Sequence, residues 1–187
     1  MAGFEQAGGQ PPNEIERKFL LPRTPLFLKE YEGESIRQGY LVIGADGSEA
    51  RLRDREGDYT LTVKSKGDLV RGESEIELDG DQFNTLWPAT AGKRLEKVRF
   101  SIPYLQSLVE LDLYTGTLKG LIVAEVEFQD VESAEAFSTP EWFGQEVTSI
   151  ADFKNQRLAI YGRPDVSQAA PRDPRQSPIE LPMVFDS

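Results

Sequence analysis

Charged residues recur at every second position in this sequence, and they are grouped by sign. Glu14-x-Glu16-x-Lys18 opens the series with both signs. Arg51-x-Arg53-x-Arg55, Lys64-x-Lys66, Glu73-x-Glu75-x-Glu77, Lys97-x-Arg99 and Glu110-x-Asp112 follow, and Glu125-x-Glu127 adds an acidic pair. A merely solvated sheet face tends to mix signs so that opposite charges pair across strands, whereas here whole segments are acidic or basic. A surface carrying both suits a highly charged anion that arrives with a divalent metal, and polyphosphate or a nucleoside triphosphate has that chemistry. Arg offers planar, two-pronged donors to phosphate and Lys a point charge. Carboxylate oxygens suit a hard cation such as Mg²⁺ or Mn²⁺.

Composition narrows the chemistry further. The chain has no His, which removes imidazole bases and the Ser-His-Asp triad, and no Cys, which removes disulfides and thiolate metal sites. Acid and base work falls to carboxylates, Lys, Tyr or water. A net charge of -11 argues against a general nucleic-acid binder. No run approaches the roughly 20 apolar residues of a membrane span, and residues 1–12 carry no signal-like apolar core, so a cytoplasmic protein is expected.

The elements that must position these charges are strands, because alternate side chains on a strand point to opposite faces. Strands are expected at 14–21, 35–43 with an interruption at Gly39, 49–55, 59–66, 73–78, 94–103, 107–114 and 121–128. Gly-containing turns join them, which indicates an antiparallel meander. Asp81 is read as the N-cap of a short helix ended by Gly92, a second helix is expected at 132–137, and a longer one at 149–161. The 187 residues suit one domain at 13–162, with a Gly/Gln/Pro-rich tail at 1–12 and a Pro-rich tail at 163–187.

Leu61, Val63, Ile76, Leu78, Val98, Phe100, Ile102, Leu111, Leu113, Val126 and Phe128 lie opposite the charges and need a cover. If helices pack outside, the charged face turns inward. Eight strands then close around an interior that holds side chains or one small ligand. The expected fold is mainly β (α+β): a closed eight-stranded antiparallel barrel forming a charged tunnel, with helices outside. An open sheet with one solvated face stays the alternative for Glu110-x-Asp112 and for Arg55, which adjoins a turn.

Glu14-Ile15-Glu16-Arg17-Lys18 is an ExExK motif, and in order after it come Arg37-Gln38-Gly39-Tyr40-Leu41, Arg51-x-Arg53, Leu61-Thr62-Val63-Lys64-Ser65-Lys66-Gly67, Leu95-Glu96-Lys97-Val98-Arg99, Gly120 to Glu127 and Pro140 to Thr148. On these motifs the chain resembles the CYTH superfamily, the triphosphate tunnel metalloenzymes. The resemblance implies an eight-stranded barrel that binds a triphosphate with Mg²⁺ or Mn²⁺. It implies Glu14, Glu16, Asp112, Glu125 and Glu127 as metal ligands, and Lys18, Arg51, Arg53, Lys64, Lys66, Lys97 and Arg99 as the phosphate cradle. Glu16, Glu127 and Lys18 are the expected catalytic groups.

Relatives tend to carry an acidic residue and an Arg-Tyr pair before Asn155, where this chain has Ile150, Asp152 and Phe153. Lys154 could reach the tunnel but is read in preference as an exposed helix residue, and Tyr40 as either core or tunnel wall. The expected activity is metal-dependent hydrolysis of inorganic tripolyphosphate to pyrophosphate and phosphate. The alternatives are a class IV type adenylate cyclase, a thiamine or nucleoside triphosphatase using Tyr40, Tyr114 and Phe153 as stacking surface, and a polyphosphate-binding module without turnover. A homodimer is compatible with a barrel of this size.

Overall fold

The computed structural model describes residues 13–66 and 70–164, without the side chains of 13, 14, 70 and 71. The expected tails lie outside the described residues, except for Arg163 and Pro164. The fold is mainly β. Eight strands, β1 (Asn13–Leu20), β2 (Gly33–Ile43), β3 (Glu49–Arg55), β4 (Asp58–Lys64), β5 (Val70–Leu78), β6 (Arg94–Tyr104), β7 (Ser107–Tyr114) and β8 (Ile122–Phe128), form one antiparallel, strongly curled sheet. Its order is β1-β5-β4-β3-β2-β6-β7-β8, and β1 also pairs with β8. The β1–β5 seam is short: residues 13–15 face 72–70, and from Glu73 onward β5 has only β4 as neighbour among the described residues.

The two faces of the curl have separate cores. Outside β6, β7, β8 and β1, Phe19, Ile102, Val109, Leu111, Ala124 and Val126 pack with Phe27, Leu28, Trp142 and Phe143. Phe27 and Phe143 stand edge-on or tilted to their ring neighbours, with Phe27–Trp142 centroids 5.3 Å apart. α1 (Gly80–Leu86) covers β4 through a stack of Tyr59, Phe83 and Trp87, with centroids 4.5 and 5.0 Å apart. The cover stops there: Val63 and Ile76, expected beneath helices, are 51% and 57% exposed.

The second core, built on Leu20, Leu95, Tyr114, Val123, Val147, Phe153 and Leu158, closes one end of the interior. Leu20 pairs with Val123, and Tyr114 with Lys97, so this apolar plug shares the inner face with the charges. The last helical region thus sits at the end of the curl and not on its outside. It is also broken. A 3-10 turn spans Ala151–Phe153, Lys154 is extended at φ -67°, ψ 136°, and α3 covers Asn155–Tyr161.

Two further expectations change. β2 runs unbroken through Gly39, whose role is close approach: a Cβ there would lie 2.5 Å from Thr90 Oγ1. The N-cap of α1 is Asp79, in a reciprocal capping box with Gln82, which leaves Asp81 in the first turn. α2 (Val131–Ala136) is capped by Asp130. No helix among the described residues is long and apolar enough to cross a membrane.

Candidate active site

The inner face of the curl is a cavity lined by six acidic residues (Glu16, Glu49, Glu73, Glu110, Glu125, Glu127) and six basic ones (Lys18, Arg51, Arg53, Lys64, Arg99, Lys154), with Thr148 and Asn155; Val147 is the one apolar member. Strand register produces this set. Glu16 pairs with Glu127, Lys18 with Glu125, Glu125 with Glu110, and Arg99 with Asp112, so like-facing positions meet across neighbouring strands. The alternating sequence therefore reads onto one wall after another.

The floor is an ion network. Lys18 Nζ lies 2.7 Å from Glu125 Oε1. Arg99 donates to Asp112 at 2.7 Å, to Glu125 Oε2 at 2.7 Å, and to Glu110. Lys97 donates to Asp112 beneath, and its Nζ sits 5.7 Å from the centre of the Tyr114 ring. Each charge reads its neighbours. Burial alone would lower the Lys18 ammonium and raise the Glu125 carboxyl, but their mutual attraction wins, so Lys18 is held above the usual lysine range and Glu125 well below the usual carboxylate range. Burial also opposes the charge on Arg99, and Asp112 and Glu125 outweigh it. Lys97 is the reverse case: burial and then the adjacent Arg99 push it down to about 8.

Arg53 stands apart from this network. Its Nε is buried with no hydrogen-bond partner, and it forms no ion pair among the described residues. Arg51, burial and Arg99 together push its guanidinium down to about 10. Glu75 attracts it without forming an ion pair, so the charge is stored in the cavity only partly offset. Opposite it, burial, Glu110 and Glu16 raise the Glu127 carboxyl above its ordinary value. One wall repels its own cation and the other its own anion, and an anion accompanied by a cation relieves both.

The remaining sequence candidates fall as follows. Arg51 and Lys64 reach the cavity and meet Glu49 and Glu73 there. Lys66 does not, because β4 ends at Lys64; Lys66 is exposed and lies near Asp46. Lys97 and Asp112, 1% and 0% exposed, lie under the cavity as an ion pair rather than in its lining. Glu110, for which a solvated face was the alternative, is in the lining, and Asp112 supports it. Arg55 stays at the rim beside Glu34, 3.5 Å away. The Glu14 side chain lies outside the described residues.

Lys154, expected on an exposed helix face, enters the cavity because the backbone break at that position turns it inward. Asn155 follows, accepting a hydrogen bond from Tyr114 Oη. A strap over residues 144–148 holds this end: Gly144 N donates to Leu20 O at 2.7 Å, Val147 N to Lys18 O at 2.8 Å, and Lys18 N to Thr148 Oγ1 at 3.0 Å. Outside, Arg17 clasps Glu146 at 2.6 and 2.9 Å. Tyr40, Tyr114 and Phe153 are buried, and Tyr40 Oη accepts from Gln38, so none presents a stacking surface to the cavity.

No family model matches the chain. A protein of Nitrosomonas europaea named inorganic triphosphatase is 47% identical over 149 residues, 79% of this chain and 97% of that protein. Another of the same name from Acetivibrio thermocellus is 30% identical over 147 residues, 78% of this chain and 92% of that protein. A solved structure of an inorganic triphosphatase superposes with a TM-score of 0.60 at 44% identity, covering 81% of this chain and 97% of the other. Identity of this extent over nearly the whole length of these relatives places the chain among the inorganic triphosphatases of the CYTH superfamily, the triphosphate tunnel metalloenzymes.

Proposed function

We propose that the protein hydrolyses inorganic tripolyphosphate to pyrophosphate and phosphate with the help of Mg²⁺ or Mn²⁺, inside a tunnel formed as the curled sheet closes at the β1–β5 seam. The observation that carries this reading is Arg53: a guanidinium without an ion pair, crowded by Arg51 and Arg99, in a cavity whose lining has one apolar residue. Such a wall has no surface to hold a base or a thiazole ring, which favours a wholly inorganic anion. The names of the relatives point the same way.

Arg51, Arg53 and Arg99 would grip the phosphate oxygens, with Lys18, Lys64 and Lys154 as additional point charges. Asp112, itself held by Lys97, keeps the Arg99 fork in place from below. Phosphoryl transfer is mostly positioning and charge neutralisation, and these groups are fixed before substrate arrives. Water attacks the terminal phosphorus, the bridging P–O bond breaks, and pyrophosphate leaves with the bond's electrons. The water's proton passes to whichever of Glu16 and Glu127 the metal leaves free.

Among the described residues no three carboxylates gather into a ready-made metal site. Asp112 and Glu125 are committed to Lys97, Lys18 and Arg99. Glu16 and Glu127 remain, and their mutual repulsion suits a cation. That donor set fits Mg²⁺, which typically takes one or two carboxylates and completes its shell with substrate phosphates and water. A bound ion of this kind supplies neutralisation of charge on bridging and terminal phosphate oxygens.

The test is phosphate release from tripolyphosphate, ATP and thiamine triphosphate, each with Mg²⁺, Mn²⁺ or chelator, with cyclic AMP measured in the ATP samples. Preferential, metal-dependent release from tripolyphosphate supports the proposal. Cyclic AMP formation would replace it with the cyclase, and metal-dependent binding without turnover would replace it with a binding module.

A further inference from the structure

Lys64 and Arg51, two cations of the proposed phosphate grip, already hold an anion. Lys64 Nζ lies 2.7 Å from Glu73 Oε2, and Arg51 Nη2 lies 3.6 Å from Glu73 Oε1. The lysine and arginine side chains are 5% and 7% exposed, and the carboxylate between them is 24% exposed. Glu73 faces Lys64 directly across the β4–β5 ladder, and all three residues line the cavity. A phosphate that reaches either cation must therefore enter ground that a carboxylate occupies.

We propose, resting on the triphosphatase reading, that Glu73 is an internal rival of the phosphate chain that weakens anion binding and so speeds release of pyrophosphate. A carboxylate and a terminal phosphate present similar oxygens to Lys and Arg, so the two compete for the same donors. Tripolyphosphate is long enough to engage Arg53 and Arg99 as well, and it can displace Glu73 and remain bound. Pyrophosphate has fewer oxygens with which to offset the same displacement. The position of Glu73 also leaves it room to yield. It stands where β5 loses its second neighbour among the described residues, next to the short β1–β5 seam, and it is the most exposed member of the trio. Specificity here comes from a repulsive element placed against the weaker ligand.

The role is that of a specificity-determining residue, and it differs in sign from a structural one. If Glu73 merely braced Lys64 and Arg51, its removal would loosen the grip and weaken every anion.

The experiment is calorimetric titration of Glu73→Gln and the parent protein with pyrophosphate and with tripolyphosphate, in chelator and again with Mg²⁺. Pyrophosphate inhibition of phosphate release is measured alongside. Glu77→Gln, on the same strand outside the cavity lining, is the control. The inference expects Glu73→Gln to bind pyrophosphate about tenfold tighter, as one nearby like charge would dictate, and to be inhibited by it correspondingly more. Unchanged or weaker binding overturns it. Glu73→Ser repeats the measurement should the glutamine variant melt early. If the parent binds neither anion, the triphosphatase reading itself fails. If the parent binds tripolyphosphate and the variants gain nothing, only the role of Glu73 fails.

Discussion

Replacing Arg53 by Met should make the ligand-free protein more stable while removing most of its function. Methionine keeps the length and apolar stem of the side chain and deletes the charge. In the cavity the guanidinium is pushed from its ordinary value down to about 10, first by Arg51, then by burial and Arg99, against the attraction of Glu75. At roughly 1.4 kcal/mol per unit this corresponds to about 3 kcal/mol against the charged form. The unfolded chain holds the same charge at no such cost, so the penalty is fully present at neutral pH and is relieved only as pH rises through about 10.

Solvent reaching the partly exposed residue reduces the gain, and a net stabilisation of about 1–2 kcal/mol is expected, or roughly 2–8 °C in Tm for a domain of this size. On the ligand side, a phosphate oxygen about 4 Å from a cation at an effective dielectric near 20 gains about 4 kcal/mol gross. After desolvation this leaves a loss of roughly 100-fold in kcat/KM for tripolyphosphate. The assays are thermal melting without ligand, melting with tripolyphosphate, and steady-state phosphate release. A lower Tm in the free variant, or kcat/KM within threefold of the parent, would refute the idea of a cation stored without an ion pair.

Glu127→Gln should likewise raise the metal-free Tm, because burial, Glu110 and Glu16 disfavour its carboxylate. Its folded value is raised, so the destabilisation is present above that value and disappears as pH falls below it; the gain in Tm should be seen at pH 8 and vanish in mild acid, and the Tm shift induced by Mn²⁺ should shrink. Glu125→Gln acts in the opposite direction. It leaves Lys18 buried without its 2.7 Å partner, costing about 3–5 kcal/mol, and melting should fall by roughly 10 °C. Arg17→Ala removes the outer clasp to Glu146 and the bond to Ala134 O, so stability should drop by about 1 kcal/mol with kcat/KM within threefold, read by melting and phosphate release. Loss of activity there would mean that the 144–148 strap positions the cavity more tightly than its surface contacts imply.

The charged wall was legible because strand alternation has a period of two and needs no tertiary knowledge. Arg51, Arg53, Arg99, Glu125 and Glu127 all follow from it. Depth along the interior was not legible, since Lys97 and Arg99 have the same spacing and sign, yet one lies under the cavity and the other in it. Lys66 falls outside the lining for a related reason: alternation continues in the sequence after the ladder stops at Lys64. Lys154 was in view as a tunnel residue but ranked second, because the single extended residue that turns it inward interrupts an otherwise helical pattern with no Pro or Gly to announce it. Glu49 belonged to the visible alternation Glu49-x-Arg51-x-Arg53 and could have been found by extending it one step. The outer apolar face was read correctly in register, but bare Val63 and Ile76 depend on where helices happen to stop.

The most direct measurement is a crystal structure of the protein grown with tripolyphosphate and Mn²⁺, using the anomalous signal to place the metal. The account predicts phosphate oxygens within hydrogen-bonding distance of Arg53 and Arg99, with Mn²⁺ between the phosphate chain and Glu16 or Glu127. Phosphate bound only on the outer surface, or a filled cavity in which Arg53 still lacks an anionic partner, would contradict it.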